Sequence, residues 1–151
     1  MEWSIRSFNQ LTLQELYTIL TLRTDIFVVE QVCPYPELDG KDPDCLHLLG
    51  KENGELIAYL RMLPAGLSYA SASIGRVAVR PSHRGQGLSR EMMEQAITYI
   101  GEVWQEEQIQ IGAQAYLEDF YRSLGFDCIS EPYLEDGISH IEMVYHRKEE
   151  K

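Results

Sequence analysis

A mixed α+β fold, a sheet of about seven strands flanked by helices in the order β-α-β-β-β-α-β-α-β-β, is what the sequence predicts. Three observations carry the prediction. Alternating apolar runs interleave with runs of helical apolar spacing, an Asn53-Gly54 pair separates two apolar runs, and no stretch repeats or thins into a linker.

The elements follow in chain order. "WSIRSF" alternates as a first strand. "LTLQELYTILTLRTDIF" is helical, with Thr12-x-x-Glu15 as a capping box and Leu13, Leu16, Tyr17 and Leu20 at helical spacing. "VVEQVCPYPELDGKDPDC" is rich in Pro, Asp and Gly and reads as a long loop, of the kind that carries function. Asn53-Gly54 then predicts a hairpin between two antiparallel strands, and "YASASIGRVAVR" supplies a fourth strand. Leu88, Met92, Met93, Ala96, Ile97 and Ile100 mark one buried helical face that runs to Gly101. "IQIGAQA" is a fifth strand. "YLEDFYRSLGF" is a short helix stopped by Gly125 in the left-handed conformation, and "DCISEPY" and "ISHIEMVYH" close the sheet.

Composition bounds what such a fold does. The chain has 151 residues, 44% hydrophobic and 25% charged, which suits one globular domain over residues 1–151. No apolar run approaches the roughly 18 residues needed to span a bilayer, and "MEWSIRSFNQ" lacks a signal-peptide pattern, so a cytoplasmic protein without a membrane partner is expected. A net charge of -11 argues against nucleic acid as a partner. Cys33, Cys45 and Cys128 are odd in number and lack C-x-x-C spacing, so reduced thiols are expected. Cys45 and His47, near Asp39 and Asp42, form a lone C-x-H that falls short of a metal site, and no metal is expected.

Charge is unevenly distributed. Residues 56–90 contain no Asp or Glu, although the chain has 24, and they hold Arg61, Arg76, Arg80, Arg84 and Arg90. Exclusion of carboxylates from buried strands explains the apolar part of this segment but not five arginines.

Among these arginines, "VRPSHRGQGLSREMM" joins a strand to a helix through Arg84-Gly85-Gln86-Gly87-Leu88-Ser89. Unsatisfied amides at a helix start bind anions, and glycines let a phosphate approach the backbone. The pattern is neither a Walker loop nor G-x-G-x-x-G, which disfavours a nucleotide triphosphatase.

The arrangement resembles motif A of the GNAT superfamily of acetyl-CoA-dependent acyltransferases, whose R/Q-x-x-G-x-G/A loop wraps the coenzyme A pyrophosphate. Arg84 and Gly87 match, and Ser89 stands where the last small residue is usually Gly or Ala. The later "FYRSLGF" matches the short helix of the same family. "FVVEQVCPYPELDG", "HLLG", "IGAQAYLEDFY" and "EDGISHIEM" are similar to its ElaA-type subfamily, so that the likeness covers nearly the whole chain.

The resemblance implies an acetyl-CoA-dependent N-acetyltransferase, with direct attack of a primary amine on the thioester in a ternary complex. Acetyl-CoA is then the cosubstrate, the acceptor is a small-molecule or peptide amine, and a homodimer is compatible with the family. It implies a cofactor site made of Arg84, Gly85, Gln86, Gly87, Leu88 and Ser89, with backbone from Val77, Ala78 and Val79 as the oxyanion donor. Gln114, seven residues before Tyr121, stands where many relatives carry a cofactor-contacting Asn.

The chemistry needs a base, because an alkyl amine with a pKa of about 10.4 is protonated at neutral pH. Glu30, Asp39, His47 and His140 are the candidates, with Glu30 first for its place at the entrance to the long loop; the same pattern also allows Glu30 to be a solvated helix-end carboxylate and His47 and His140 to be satisfied strand histidines. It also needs an acid for the departing thiolate, and the Tyr121 phenol suits that role. Helical spacing alone also allows Tyr121 to be a core aromatic beside Leu117 and Leu124. The acidic groups Asp25, Glu30, Glu37, Asp39, Asp42 and Asp44 are expected to attract a cationic acceptor. The alternative is a non-catalytic acyl-CoA-binding or sensing module built on the same loop.

Overall fold

Two sheets meet along one seam and part along the rest of their length. The computed structural model describes residues 1–147. The first sheet has the order β1-β2-β3-β4, formed by β1 (Glu2–Ser7), β2 (Leu46–Glu52), β3 (Glu55–Leu63) and β4 (Ser73–Val79), all antiparallel. The second centres on β8 (Ile138–His146), flanked by β5 (Gln108–Gln114), β6 (Phe126–Cys128) and β7 (Tyr133–Glu135). A single parallel bridge, Ala72 to Ile109, joins the sheets at the base of β4 and β5, where the Gln110 amide donates to the Ala72 carbonyl at 2.9 Å. Past that bridge no ladder joins the two strands among the described residues, and a cleft opens between them.

The helices are α1 (Leu13–Arg23), α2 (Leu88–Glu102) and α3 (Glu118–Ser123). Helix α2 lays Leu88, Met92, Met93, Ala96 and Ile100 into the main core against β3, β4, β5 and β8, along the stripe read from the sequence. Ile19 and Leu22 of α1, with Ile26, cover the other face of the first sheet at Leu49, Leu56, Tyr59 and Ala78. Strand β3 is therefore covered on both faces, and eight of its nine residues are buried.

Two expectations change. The buried face of α1 is Glu15, Ile19, Leu22 and Arg23, whereas Leu13 and Tyr17 point to solvent at 88% and 75% exposure. Periodicity missed this because two of the four buried positions are charged. Glu15 is buried between Arg6 and Lys51, and Arg23 meets acids from the following loop. Secondly, "DCISEPY" is not one strand but runs from the end of β6 to the start of β7, which pair different parts of β8, so the described residues contain eight strands where about seven were expected. The capping box at Thr12 and Glu15, and the left-handed Asn53, Gly54 and Gly125, stand as expected. Among the described residues, no helix is long and apolar enough to cross a membrane.

Candidate active site

The cleft between β4 and β5 has a volume of about 780 Å³ and is floored by Ser73 to Val79 on one side and Ile111 to Gln114 on the other. Beside it, between the start of α2 and α3, lies a second cavity of about 390 Å³. Val77, Val79, Arg84, Ser89, Leu117 and Tyr121 line both, so the two form one continuous groove with Tyr121 at the junction.

The smaller cavity is built by the Gly-rich junction. Gly85 and Gly87 have φ of +79° and +78°, in the left-handed region, and Gly87 forms the cap of α2. A Cβ built at either meets no heavy atom within 4 Å among the described residues, so the loop's backbone faces open space. Leu88 anchors the loop in the core, and Ser89 lines the groove. Arg84 braces the loop by donating from Nε to the Val79 carbonyl at 3.2 Å. Its Nη2 donates to Glu30 Oε2 at 2.7 Å, which raises the Arg84 pKa and lowers that of Glu30. A 15-residue helix starting at bare glycine backbone beside Arg84, His83 and Arg90 has the chemistry of a diphosphate cradle. Gln86 is exposed and lines neither cavity.

Tyr121 is 8% exposed, and Phe120 and Phe126 meet its ring edge-on. Burial, and secondarily Tyr116, push its phenol up to about 12. The ring packs in the core, as the helical spacing allowed, while the residue borders both cavities.

Strand β4 bulges where it lines the cleft. Tyr59 pairs with Ala78 and Arg61 with Gly75, leaving Arg76 and Val77 opposite the single residue Leu60. Arg76 has φ +53°. At the end of β5, Gln114 donates from Nε2 to Gln31 Oε1 at 3.2 Å, from the segment after α1.

The candidate bases separate. His47 is 1% exposed and outside the cleft. Its Nε2 donates to the Asp42 carbonyl at 3.0 Å and its Nδ1 accepts from Tyr59 Oη at 2.6 Å. Burial lowers its pKa, so it is a neutral core histidine with both nitrogens occupied. His140 lines the cleft, stacked on Tyr133. Its Nδ1 lies 2.7 Å from the Ile138 carbonyl, which only accepts, so in the neutral ring the proton sits on Nδ1 and the lone pair on Nε2. Glu135 is 3.8 Å from that Nε2.

The acids that the long loop turns toward the cleft are not free. Arg23 and Arg76 each donate from Nε to Glu37 at 2.7 Å. Arg61 donates to Asp39, and Asp42 accepts from both Arg23 and Arg61. Burial by itself raises the carboxyl of Asp39 and of Asp42, yet Arg61 holds the first, and Arg23 the second, well below the ordinary range. Cys45, beside them, donates to the Lys41 carbonyl, and burial pushes its thiol up to about 11. Four of the six acids expected to draw in a cation are therefore spent on arginines. Sequence reasoning missed this network, although its signal was available as an acid-free, arginine-bearing segment and an acid-rich loop of complementary charge. Glu135 and Asp136, also missed, line the cleft, and among the described residues no arginine or lysine pairs with them.

The model of the acetyltransferase (GNAT) domain matches residues 28–147. The chain is 42% identical to an acyl-CoA N-acyltransferase from Pseudomonas aeruginosa, with a TM-score of 0.90 over 95% of this chain and 98% of that one. Against the crystal structure of ElaA from Escherichia coli the identity is 39%, and the TM-score is 0.90 over 96% and 99% of the two chains. A UPF0039 protein of Schizosaccharomyces pombe is 44% identical over 145 residues, 95% of each chain.

Proposed function

The chain belongs to the GNAT acetyltransferase family and is of the ElaA type, and from that premise we propose that it moves an acetyl group from acetyl-CoA to a primary amine. The observation that carries this reading is the single groove in which Tyr121 borders both the Gly-rich loop and the cleft between the sheets.

Acetyl-CoA supplies the thioester carbon to be attacked. Amides of Gly85 to Ser89 and the Arg84 guanidinium hold its diphosphate at the start of α2, which leads the acyl end inward between β4 and β5. There the bulge offers the Val77 amide to the thioester oxygen as that oxygen gains charge. Ala78 and Val79 contribute strand backbone, and Gln114 an amide at the opposite wall.

The acceptor approaches along the wall of Glu135, Asp136 and His140. Its ammonium form is attracted by these two carboxylates, which no arginine or lysine of the described residues neutralises, and gives a proton to His140 Nε2. The neutral nitrogen then bonds to the acyl carbon, the carbon–sulfur bond breaks, sulfur takes the Tyr121 proton, and the second proton that the nitrogen sheds in becoming an amide passes through water to restore the Tyr121 phenol. The raised phenol pKa keeps that proton in place at any physiological pH.

The test is release of free thiol from acetyl-CoA across a panel of amines, with His140→Gln alongside. Turnover with at least one amine, and a kcat in His140→Gln lowered by about 10²-fold or more, is expected. Binding of acetyl-CoA with no thiol release for any amine would leave a binding module instead.

A further inference from the structure

We propose that Glu37 is a positioning residue that acts through Arg76 to hold the β4 bulge, and with it the Val77 amide, against the acetyl carbonyl. The inference rests on the reading above for what the amide does, and on separate geometry for how it is held.

Arg76 is, among the described residues, the one non-glycine residue with positive φ inside a strand, the others standing in turns and connections. An L-residue with a Cβ resists that conformation, and a glycine would adopt it freely. What keeps arginine there is its side chain. Nε donates to Glu37 Oε2 at 2.7 Å, Nη2 donates to the Glu37 carbonyl at 3.1 Å, and Asp39 lies 3.6 Å from Nη2. Glu37 is in turn held from behind by Arg23, which is fully buried at the end of α1 and donates to the same Oε2 at 2.7 Å. The chain of contacts runs from α1 through the long loop to the backbone of the bulge. Strain of this kind persists only where the surroundings over-determine it, and here the surroundings are a doubly shared carboxylate.

An oxyanion donor works only when already aimed, and a shift near 1 Å costs about 10²-fold in rate. Relaxing Arg76 toward negative φ would turn the neighbouring Val77 amide. Glu37 and Arg76 therefore influence the chemistry without touching the reacting atoms. The loop's acids serve the cleft through its backbone rather than by charge attraction to the acceptor.

The experiment compares the affinity of S-acetonyl-CoA, an unreactive ketone analogue of acetyl-CoA, with that of coenzyme A, which has no carbonyl at that place. Wild type is expected to prefer the ketone. Glu37→Gln and Arg76→Ala should lose the preference while still binding coenzyme A. Arg76→Gly should keep more of it, because glycine holds φ near +53° without a handle. Single-turnover acetylation of the best amine in the panel should follow the same order, with Glu37→Gln and Arg76→Ala about 10- to 10²-fold slower and Arg76→Gly clearly faster than Arg76→Ala. Uniform weakening of both ligands would indicate structural damage alone and overturn the proposal, as would an unchanged preference in Glu37→Gln or equal losses in the two Arg76 variants. Should Glu37→Gln fail to fold, the Arg76 pair decides, since that side chain is 28% exposed. A wild type that does not distinguish the ketone from coenzyme A would sink the amide's assigned role, and hence the proposal's premise, independently of the clamp.

Discussion

The Glu30 carboxylate accepts a 2.7 Å hydrogen bond from the Arg84 guanidinium across 54 positions of sequence, which joins the segment after α1 to the Gly-rich loop. A carboxylate so engaged, with its pKa lowered by that bond, is a poor proton acceptor. It also competes with any diphosphate for the same arginine. Glu30→Gln should therefore tighten coenzyme A binding, by about two- to fivefold because an exposed ion pair is worth only about 0–1 kcal/mol. Turnover should survive. Calorimetry and a thiol-release assay on one preparation check both halves, and lost turnover with unchanged affinity would make Glu30 the base.

Gly87→Glu should abolish coenzyme A binding and leave the fold standing. The new side chain enters the open space in front of the α2 start and brings a like charge to a phosphate site. Left-handed strain at φ +78° adds about 1–2 kcal/mol, worth a fall of roughly 2–8 °C in the thermal midpoint. Gly87→Asn, which tolerates that φ, is the control and should bind. Retained affinity in the folded Glu variant would move the cofactor elsewhere.

Tyr121→Phe removes one oxygen and keeps the ring between Phe120 and Phe126. Loss of general-acid assistance should lower the single-turnover rate by about 10²–10⁴-fold with acetyl-CoA affinity little changed. Comparing thermal midpoints separates this from core damage. An unchanged rate returns Tyr121 to a packing role.

Stability should be greatest on a plateau near neutral pH. His47 is neutral and buried with a lowered pKa, so the unfolded chain binds more protons below its own value of about 6.5, and stability falls as pH drops beneath it. The depressed carboxyls of Asp39 and Asp42 add a second loss below about pH 4, continuing down through their folded values. On the alkaline side Cys45, raised to about 11, keeps its proton in the folded state while the unfolded thiol loses it from about 8.5 upward, so stability falls again. Thermal midpoints measured from pH 3 to 10 should show a maximum between about 6.5 and 8.5. In His47→Gln the decline between about 6.5 and 4 should shrink. A midpoint flat across that interval in wild type would contradict the assignment of His47 as a buried neutral group.

Much of this was legible because it is local. Asn53-Gly54, the Thr12 cap, the α2 stripe and the Gly85 and Gly87 turn each follow from residues within a few positions of one another, where backbone sterics and side-chain period decide the outcome. The expected faces of α1 and the fate of His47 were not legible in the same way. Pattern rules count Glu15 and Arg23 as surface groups and leave His47 open between a base and a satisfied strand histidine, whereas their partners Lys51, Asp42 and Tyr59 arrive from distant strands and loops.

By itself, then, the sequence determined the element order as far as α3, the loop that caps α2, the place of Tyr121 and the family. Only the tertiary structure decided which charges are free. Ion pairing depends on which side chains the fold brings within a few ångströms, and the long loop folds back so that its acids meet Arg23, Arg61 and Arg76. That leaves His140, Glu135 and Asp136 as the groups facing the cleft with capacity unspent, since β8 and its hairpin carry them to the wall where no arginine of the described residues reaches.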